Sequence, residues 1–463
     1  MAVSVKSIRW SPGVSVGVLA VAVVLGPAPA AAGQANQTVT FTKDIAPVLQ
    51  RSCQSCHRPG AMAPMSLMTF EEVRPWASAI KRRTGSREMP PWFIERNVGI
   101  QHFKDDPSLT DAEIQKIALW VENGAPRGLA ADAPPPRQFP TGGDWSFGTP
   151  DLIVSSPVRT IKAVEADFQG DIGVTPTGLT EDRYVKAVEV REVRLSEKAP
   201  SPGQGGTPSA ALTISAIHHA TVSARTSFDA DSEFPESGSI SGAFNLVHEL
   251  GQNTTIYPDD LGVPLPAGSF LTWRFHTHSN GKETAVRVDL GFKLHPKGYK
   301  PKRVLLTAGL TGALQQNDLD IPAGEDNVRF DAFSVVRTHM KLLNFEPHMH
   351  ASGKRMCLEA IFPSGTRQTL NCAGYNHNWV KVYLYDDDAA PLLPPMTILH
   401  AIGWYNNSTG NPRNVEPRNW KGFGNRTIDD MMSSGGKYVE LTEEEYKAEL
   451  AARHDKAQRR RTN

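Results

Sequence analysis

Between residues 145 and 437 apolar and polar positions alternate in short runs: RYVKAVEV, ALTISAI, FLTWRF, AVRVDLGFKL, FDAFSVV, MCLEAIF and WVKVYLY. Pro, Gly and Asn turns separate them. A period of two buries one face of a strand and leaves the other polar, so the pattern predicts antiparallel β-sandwiches. The length of the region predicts two of them, with a break near 308–322. Ahead of this region the period changes. SLTDAEIQKIALWVENGAPRG repeats Ile114, Ile117, Ala118 and Val121 at helical spacing, opens on the capping pair Thr110 and Glu113, and stops at Gly124. FTKDIAPVLQRSCQSCH predicts a second, shorter helix, and LTEEEYKAELAARHDKAQRRR predicts a polar C-terminal helix behind the capping pair Thr442 and Glu445. The expected fold class is multidomain: a small all-α domain, then two all-β sandwich domains.

The first residues follow neither period. Lys6 and Arg9 precede VSVGVLAVAVVL, and GPAPAAAGQ follows it. A positive start, a short apolar core and small residues at A-x-A spacing predict a secretory signal, removed between Ala30 and Asn36. The apolar run falls short of the ~20 residues needed to span a bilayer, and no later segment is apolar enough. The mature protein is therefore expected to be periplasmic and soluble, with no membrane span. Lys+Arg and Asp+Glu both number 49. Such a balance argues against a nucleic-acid partner, which draws a basic excess. The expected division is 1–33 signal, 38–128 helical domain, 129–144 Pro-rich linker, 145–310 and 311–437 sandwiches, and 438–463 charged helical tail.

Four cysteines change the picture. Cys53, Cys56 and His57 form CQSCH, the spacing that attaches a c-type haem through two thioethers and one axial imidazole. Met62, Met65, Met68 and Met89 are candidate sixth ligands; Met89 is favoured because Pro90 and Pro91 stiffen the chain behind it. Cys357 and Cys372 flank a turn at Ser364-Gly365. A two-residue turn there sets them opposite each other, and export permits the disulfide.

Histidines and methionines cluster downstream: His218-His219 in ISAIHHATV, His276 and His278 in WRFHTHSNGKE, His348 and His350 in FEPHMHASGKR, and Met431-Met432 in RTIDDMMSS. Residues two apart on a strand share a face, so His348 and His350 can hold one ion together. Adjacent His218 and His219 point to opposite faces unless the strand twists or bulges. Imidazole suits copper, zinc, iron and nickel, whereas a thioether selects Cu(I). HEXXH, an EF-hand loop, G-x-S-x-G and a Gly-rich phosphate loop are all absent. His248, His339, His377 and His400 match no ligand position.

The helix into CQSCH and the capped helix after it resemble a class I cytochrome c domain. The order IHHATV, RFHTHSNGKE, PHMHASGKR, WYNNSTGNPRN and RTIDDMM resembles the copper type II, ascorbate-dependent monooxygenase family, which includes the peptidylglycine α-hydroxylating and dopamine β-monooxygenases. The resemblance covers about 145–437. It implies two jelly-roll-like sandwiches, each with one copper, facing each other across a solvent-filled cleft. By it, His218, His219 and His276 hold the electron-handling copper, with His278 competing for the third place. His348, His350 and Met431, with Met432 adjacent, hold the catalytic copper that binds O₂ and hydroxylates a C–H bond. The implied protein is a copper-dependent monooxygenase. It takes a small organic substrate and O₂, and a periplasmic electron donor feeds it through the haem. The alternative is an electron-transfer or copper-binding protein without hydroxylase activity.

Overall fold

The computed structural model describes residues 38–59, 63, 65–139, 145–198, 217–226, 244–249, 254–279, 281–309, 319–414, 416–424 and 428–462. The expected signal segment, Met62, most of ALTISAI and the side chain of His218 lie outside the described residues. An N-terminal helical region comes first. A turn of π-helix, Phe41–Ile45, runs into α1 (Ala46–Ser52), whose first turn carries Pro47, where no backbone donor is needed. Then come α2 (Phe70–Val73), α3 (Ala77–Gly85) and α4 (Asp111–Glu122). The expected Thr110–Glu113 capping box is formed, and Thr69–Glu72 makes a second one. A 12-residue helix such as α4 is marginal alone, so packing holds it. Ile117 and Trp120 join Phe41, Ile45, Leu49, Val73 and Ile80 in one core, and each fully buried side chain contributes roughly 1.5–3 kcal/mol.

Several antiparallel sheets follow. Seven strands, Arg183–Lys198 and Glu283–Leu294 at their centre, form the first. Four form the second, in the order Phe168–Pro176, Phe270–Thr277, Ile217–Arg225, Asn245–Glu249. These two share a core around Val188, Leu290, Phe292, Trp273 and Phe275. A third sheet runs Val328–Val335, Ile398–Tyr405, Gly353–Ile361, Arg367–Gly374. The fourth is built on Asn344–His348 and Ser433–Glu440. This pair shares a second core around Phe345, Met349, Leu358, Tyr383 and Tyr405. The strand Leu306–Gly309, just before the expected boundary at 310, already pairs with Ser433–Glu440.

Cys357 and Cys372 are bridged, with their Cα atoms 4.0 Å apart. The hairpin reaches that pairing differently from the expected two-residue turn. Pro363–Gly365 form a three-residue loop closed by Phe362 N–H to Thr366 O (2.8 Å), with Gly365 at φ +84°. That loop alone would offset the cysteines by one residue. A bulge between Leu358 and Glu359 restores the register Cys357↔Cys372.

The chain between α3 and α4 leaves the helical core. Trp92, Ile94, Ile100 and Phe103 pack into the second β core. Glu95 N–H donates to Cys372 O (2.8 Å) and Ile100 N–H to Leu370 O (2.8 Å), so the arm docks on Arg367–Gly374. Glu95 also pairs with Arg355. Among the described residues no helix is long and apolar enough to cross a membrane.

Candidate metal centre

The CQSCH segment continues α1 as a turn, with His57 N–H donating to Cys53 O at 2.9 Å. Both thiols are unbridged. His57 Nδ1 lies 3.2 Å from Met65 O. A ring that donates Nδ1–H there keeps its Nε2 lone pair for iron, so the imidazole orientation suits an axial ligand. Burial lowers the His57 pKa, partly offset by the Met65 carbonyl. Burial pushes the Cys53 thiol up to about 12, with Cys56 adding to it and Arg51 opposing. Met89 precedes a cis peptide to Pro90 and lines a cavity of about 220 Å³ with Arg96, Leu109, Ile114 and Trp92. Cys53, Cys56 and His57 are not among its lining residues.

In the second sheet Leu271, Trp273 and Phe275 point into the core. Alternation therefore turns His276 outward, yet it is buried. Its cross-strand partner is His219, and the ladder shifts between Ile217 and His219. His218 is the extra residue of a β-bulge, the irregularity that an adjacent histidine pair requires to serve one ion. His219 Nδ1 and His276 Nδ1 are 3.4 Å apart. Two nitrogens at ~2.0–2.1 Å from one ion in tetrahedral geometry are ~3.3–3.4 Å apart, so this pair fits an ion. His278 is less buried, and its Nδ1 lies 2.8 Å from Asp167 Oδ1. Asp167, His276 and His278 offer ligand atoms all within 4.8 Å of one another.

The second sheet pair presents its own outward face. Phe345 and Met349 enter the core, so Glu346, His348 and His350 face the other way. His348 pairs with Ser433. Both strands end at that pair, and the chain beyond it is held by side chains instead of by the ladder. Met432 Sδ and Met349 Cε lie 3.3 and 3.4 Å from where a Cβ on Gly403 would be, so both side chains pack at Gly403's strand. Met432 thus packs against the second core, while the backbone of Met431 is fixed by Asp430 and Tyr405. The fully buried Asp430 locks this arrangement. Its Oδ1 accepts the N–H of His350 and of Met431, both at 2.9 Å, and its Oδ2 accepts the N–H of Ser352 at 3.1 Å and the Ser352 hydroxyl. Tyr405 Oη donates to Met431 O at 2.8 Å.

The two outward faces meet. Ring centroids of His219 and His348 are 5.8 Å apart, where the resemblance implied a cleft between the groups. Burial, with His350 and His276 alongside, lowers the His348 pKa from 6.5 to about 3. Lys437 crosses the same interface, donating to Thr307 Oγ1 (2.8 Å) and Asn245 O (3.2 Å). Burial raises the Glu346 pKa and lowers that of Lys437, each opposed by the other's charge.

No protein-family model matches the chain, and no curated protein matches it. Solved structures offer only distant likenesses. The major capsid protein P2 of bacteriophage PM2 is 9% identical, with a TM-score of 0.27, over 62% of this chain and 97% of that one. Broad bean stain virus gives 7% identity and a TM-score of 0.30, over 64% and 91%. Scores this low carry no argument about the site.

Sequence reasoning passed over three residues near the centre. Asp167 and Asp430 belong to no motif of their own. His377, buried on the short helix His377–Trp379, has its ring 5.7 Å from that of His350.

Proposed function

We propose that this chain is an exported haem- and copper-containing oxidoreductase: a copper-dependent monooxygenase that hydroxylates a C–H bond of a small organic molecule. In this reading a cytochrome c-like domain precedes two jelly-roll-like sandwiches. The observation that carries it is the meeting of His219 and His276 with His348 and His350, where Asp430 ties His350 to Met431. Copper bound there would supply one-electron chemistry toward O₂, and haem on Cys53, Cys56 and His57 would supply the electron inlet.

The residues support these assignments separately. A thioether at Met431 beside two imidazoles is a donor set that favours Cu(I). A Cys53 thiol pushed up to about 12 is a poor nucleophile, which disfavours thiol–disulfide exchange at CQSCH. The docked arm links the two regions through packed rings. Trp92 lies 4.9 Å from Tyr383, and Tyr383 lies 6.1 Å from Phe345, three residues before His348.

Metal and haem analysis of the exported protein, followed by O₂ uptake over a panel of organic substrates, tests the reading. Two coppers, one haem and substrate-dependent uptake are expected. Met431→Ile should abolish uptake and leave the haem absorbance unchanged. Uptake retained in that variant removes Met431 from the site. A copper-loaded protein that consumes no O₂ with any substrate is an electron carrier.

A further inference from the structure

Asp167 belongs to no motif, yet it stands just ahead of an edge strand that runs beside the histidines. That strand, Phe168–Pro176, pairs Phe168 with Thr277 and Gln169 with His276. Two bonds fasten the chain before Asp167 to the residue after His278. Glu165 N–H donates to Ser279 Oγ (2.8 Å), and Ser279 Oγ donates to Lys162 O (3.0 Å). The carboxylate is thereby held against both histidines. Its Oδ1 lies 2.8 Å from His278 Nδ1, and its Oδ2 lies 3.8 Å from His276 Nε2. One ligand atom each from Asp167, His276 and His278 fall within 4.8 Å of one another. Among the described residues no other three His, Cys, Asp or Glu side chains do so.

The spacing suits one ion. A ligating nitrogen at ~2.0–2.1 Å places its ring centroid ~3.2 Å from the ion, so two rings meeting an ion at a right angle have centroids ~4.5 Å apart. Those of His276 and His278 are 4.6 Å apart. Two ligand atoms at a right angle lie ~2.9 Å from each other, and the Asp167–His278 contact matches at 2.8 Å. The 3.8 Å contact to His276 is roughly 0.5–1 Å longer than ligation needs, a gap that the exposed Asp167 side chain closes by turning.

His276 also has a side to choose. Its Nδ1 faces His219 Nδ1 at 3.4 Å, and its Nε2 faces Asp167. A neutral imidazole has one lone pair, so it serves an ion on one side only. On the Nε2 side lie two further donors. Nδ1–H is then left to donate to His219, the kind of outer bond that fixes a ligand's tautomer. Gln169 stands directly opposite His276 in the ladder and so shares its face. Its buried Oε1 has no hydrogen-bond partner, which suits an acceptor for water on the ion.

We propose that Asp167, His276 and His278 form a two-histidine, one-carboxylate metal site, with Gln169 beside it. Imidazole and carboxylate without sulfur take a divalent first-row ion, Cu(II) in the reading above, and disfavour Cu(I). The inference rests on the copper reading for metal on this face and changes the ligands there. The ion lies on the Asp167 side of His276 instead of between His276 and His219.

Equilibrium dialysis of the metal-free, full-length protein against Cu(II), followed by EPR, tests this. Wild type should bind two ions. Asp167→Asn and His278→Gln should each lose one, or hold it at least ~100-fold more weakly, and Asp167→Glu should restore it with an altered spectrum. His219→Gln should weaken the same ion by less, ~10-fold, as an outer partner does. His339→Ala, whose ring packs on Tyr446, should match wild type. Asp167→Asn with wild-type copper content and spectrum overturns the proposal and leaves the copper reading standing on His218, His219 and His276. Loss of the ion in His219→Gln but not in Asp167→Asn overturns it in the same way. Wild-type protein that binds no copper overturns both.

Discussion

Replacing Asp430 tests whether the second ligand group is held in place by a buried carboxylate. That side chain accepts hydrogen bonds from three backbone N–H groups and one hydroxyl, all within the loop that carries His350 and Met431. Asp430→Ala leaves the buried donors of His350 and Ser352, and the half-buried donor of Met431, without that acceptor. Taken at ~1–1.5 kcal/mol for each of the four donors, the low end for a stranded group because Met431 is only half-buried, the loss is roughly 4–6 kcal/mol. Asp430→Asn keeps the shape and one acceptor oxygen, but turns an NH₂ group toward donors; about half that loss, ~2–3 kcal/mol, is expected. Urea unfolding of the metal-free protein, followed by tryptophan fluorescence, should rank wild type above Asn and Asn above Ala. Copper competition should show Asp430→Asn binding at least ~10-fold more weakly, because outer partners that orient ligands carry effects of that size. Ser352→Ala combined with Asp430→Asn should be non-additive by ~0.5–3 kcal/mol, since the two groups share one bond. An Asp430→Asn protein with wild-type midpoint and wild-type copper affinity would show that this carboxylate does not hold the loop in place.

Three further predictions follow from the geometry. His348 is held neutral, its pKa lowered from 6.5 to about 3 by burial and by His350 and His276. Between those values the unfolded chain binds a proton that the folded chain does not, so metal-free protein should lose stability as pH falls from about 6.5 toward 3. Urea midpoints at pH 7.5 and 5 should differ in wild type and converge in His348→Gln; an equal drop in both proteins refutes the assignment. The Cys357–Cys372 bridge spans 15 residues, and a loop of that length confers ~3 kcal/mol. The Cys357→Ala/Cys372→Ala double variant should lose about that much in urea, and an unshifted midpoint would show that the bridge carries no stability. Trp92→Ala removes ring contacts to Phe103 and Tyr383. The half-buried side chain should be worth roughly 2 kcal/mol, and amide exchange at Glu95, Ile100 and Lys104 should accelerate; unchanged protection there would sink the docked-arm account.

Much of the local structure was legible in the sequence because its causes are local. The caps at Thr110–Glu113 and Thr442–Glu445 need only residues three apart, and both form. The alternation in AVRVDLGFKL and MCLEAIF needs only the two-residue period of a strand, and both runs lie in strands. The cysteine pairing was legible too, although its route was not. A three-residue loop and a bulge cancel each other's offset, and no single turn signal announces a cancellation.

The candidate residues were visible from the sequence alone: CQSCH, the paired histidines and the Met431-Met432 pair. The sequence also set the shared face of His348 and His350, because the strand period is fixed by backbone geometry. The rest came from contacts between distant stretches of the chain. Whether His276 or His278 faces His219 depends on a cross-strand register 57 residues apart. Which methionine packs into the core depends on Gly403 and Met349, about 30 and 80 residues away in the chain, meeting Met432. Alternation turns His276 and His348 away from their own cores, toward what would be solvent in an isolated sandwich. They are brought together because a second sheet pair covers that face. His377 joins them from a turn whose sequence carries no ligand signal, since nearness in space comes from packing long stretches of chain.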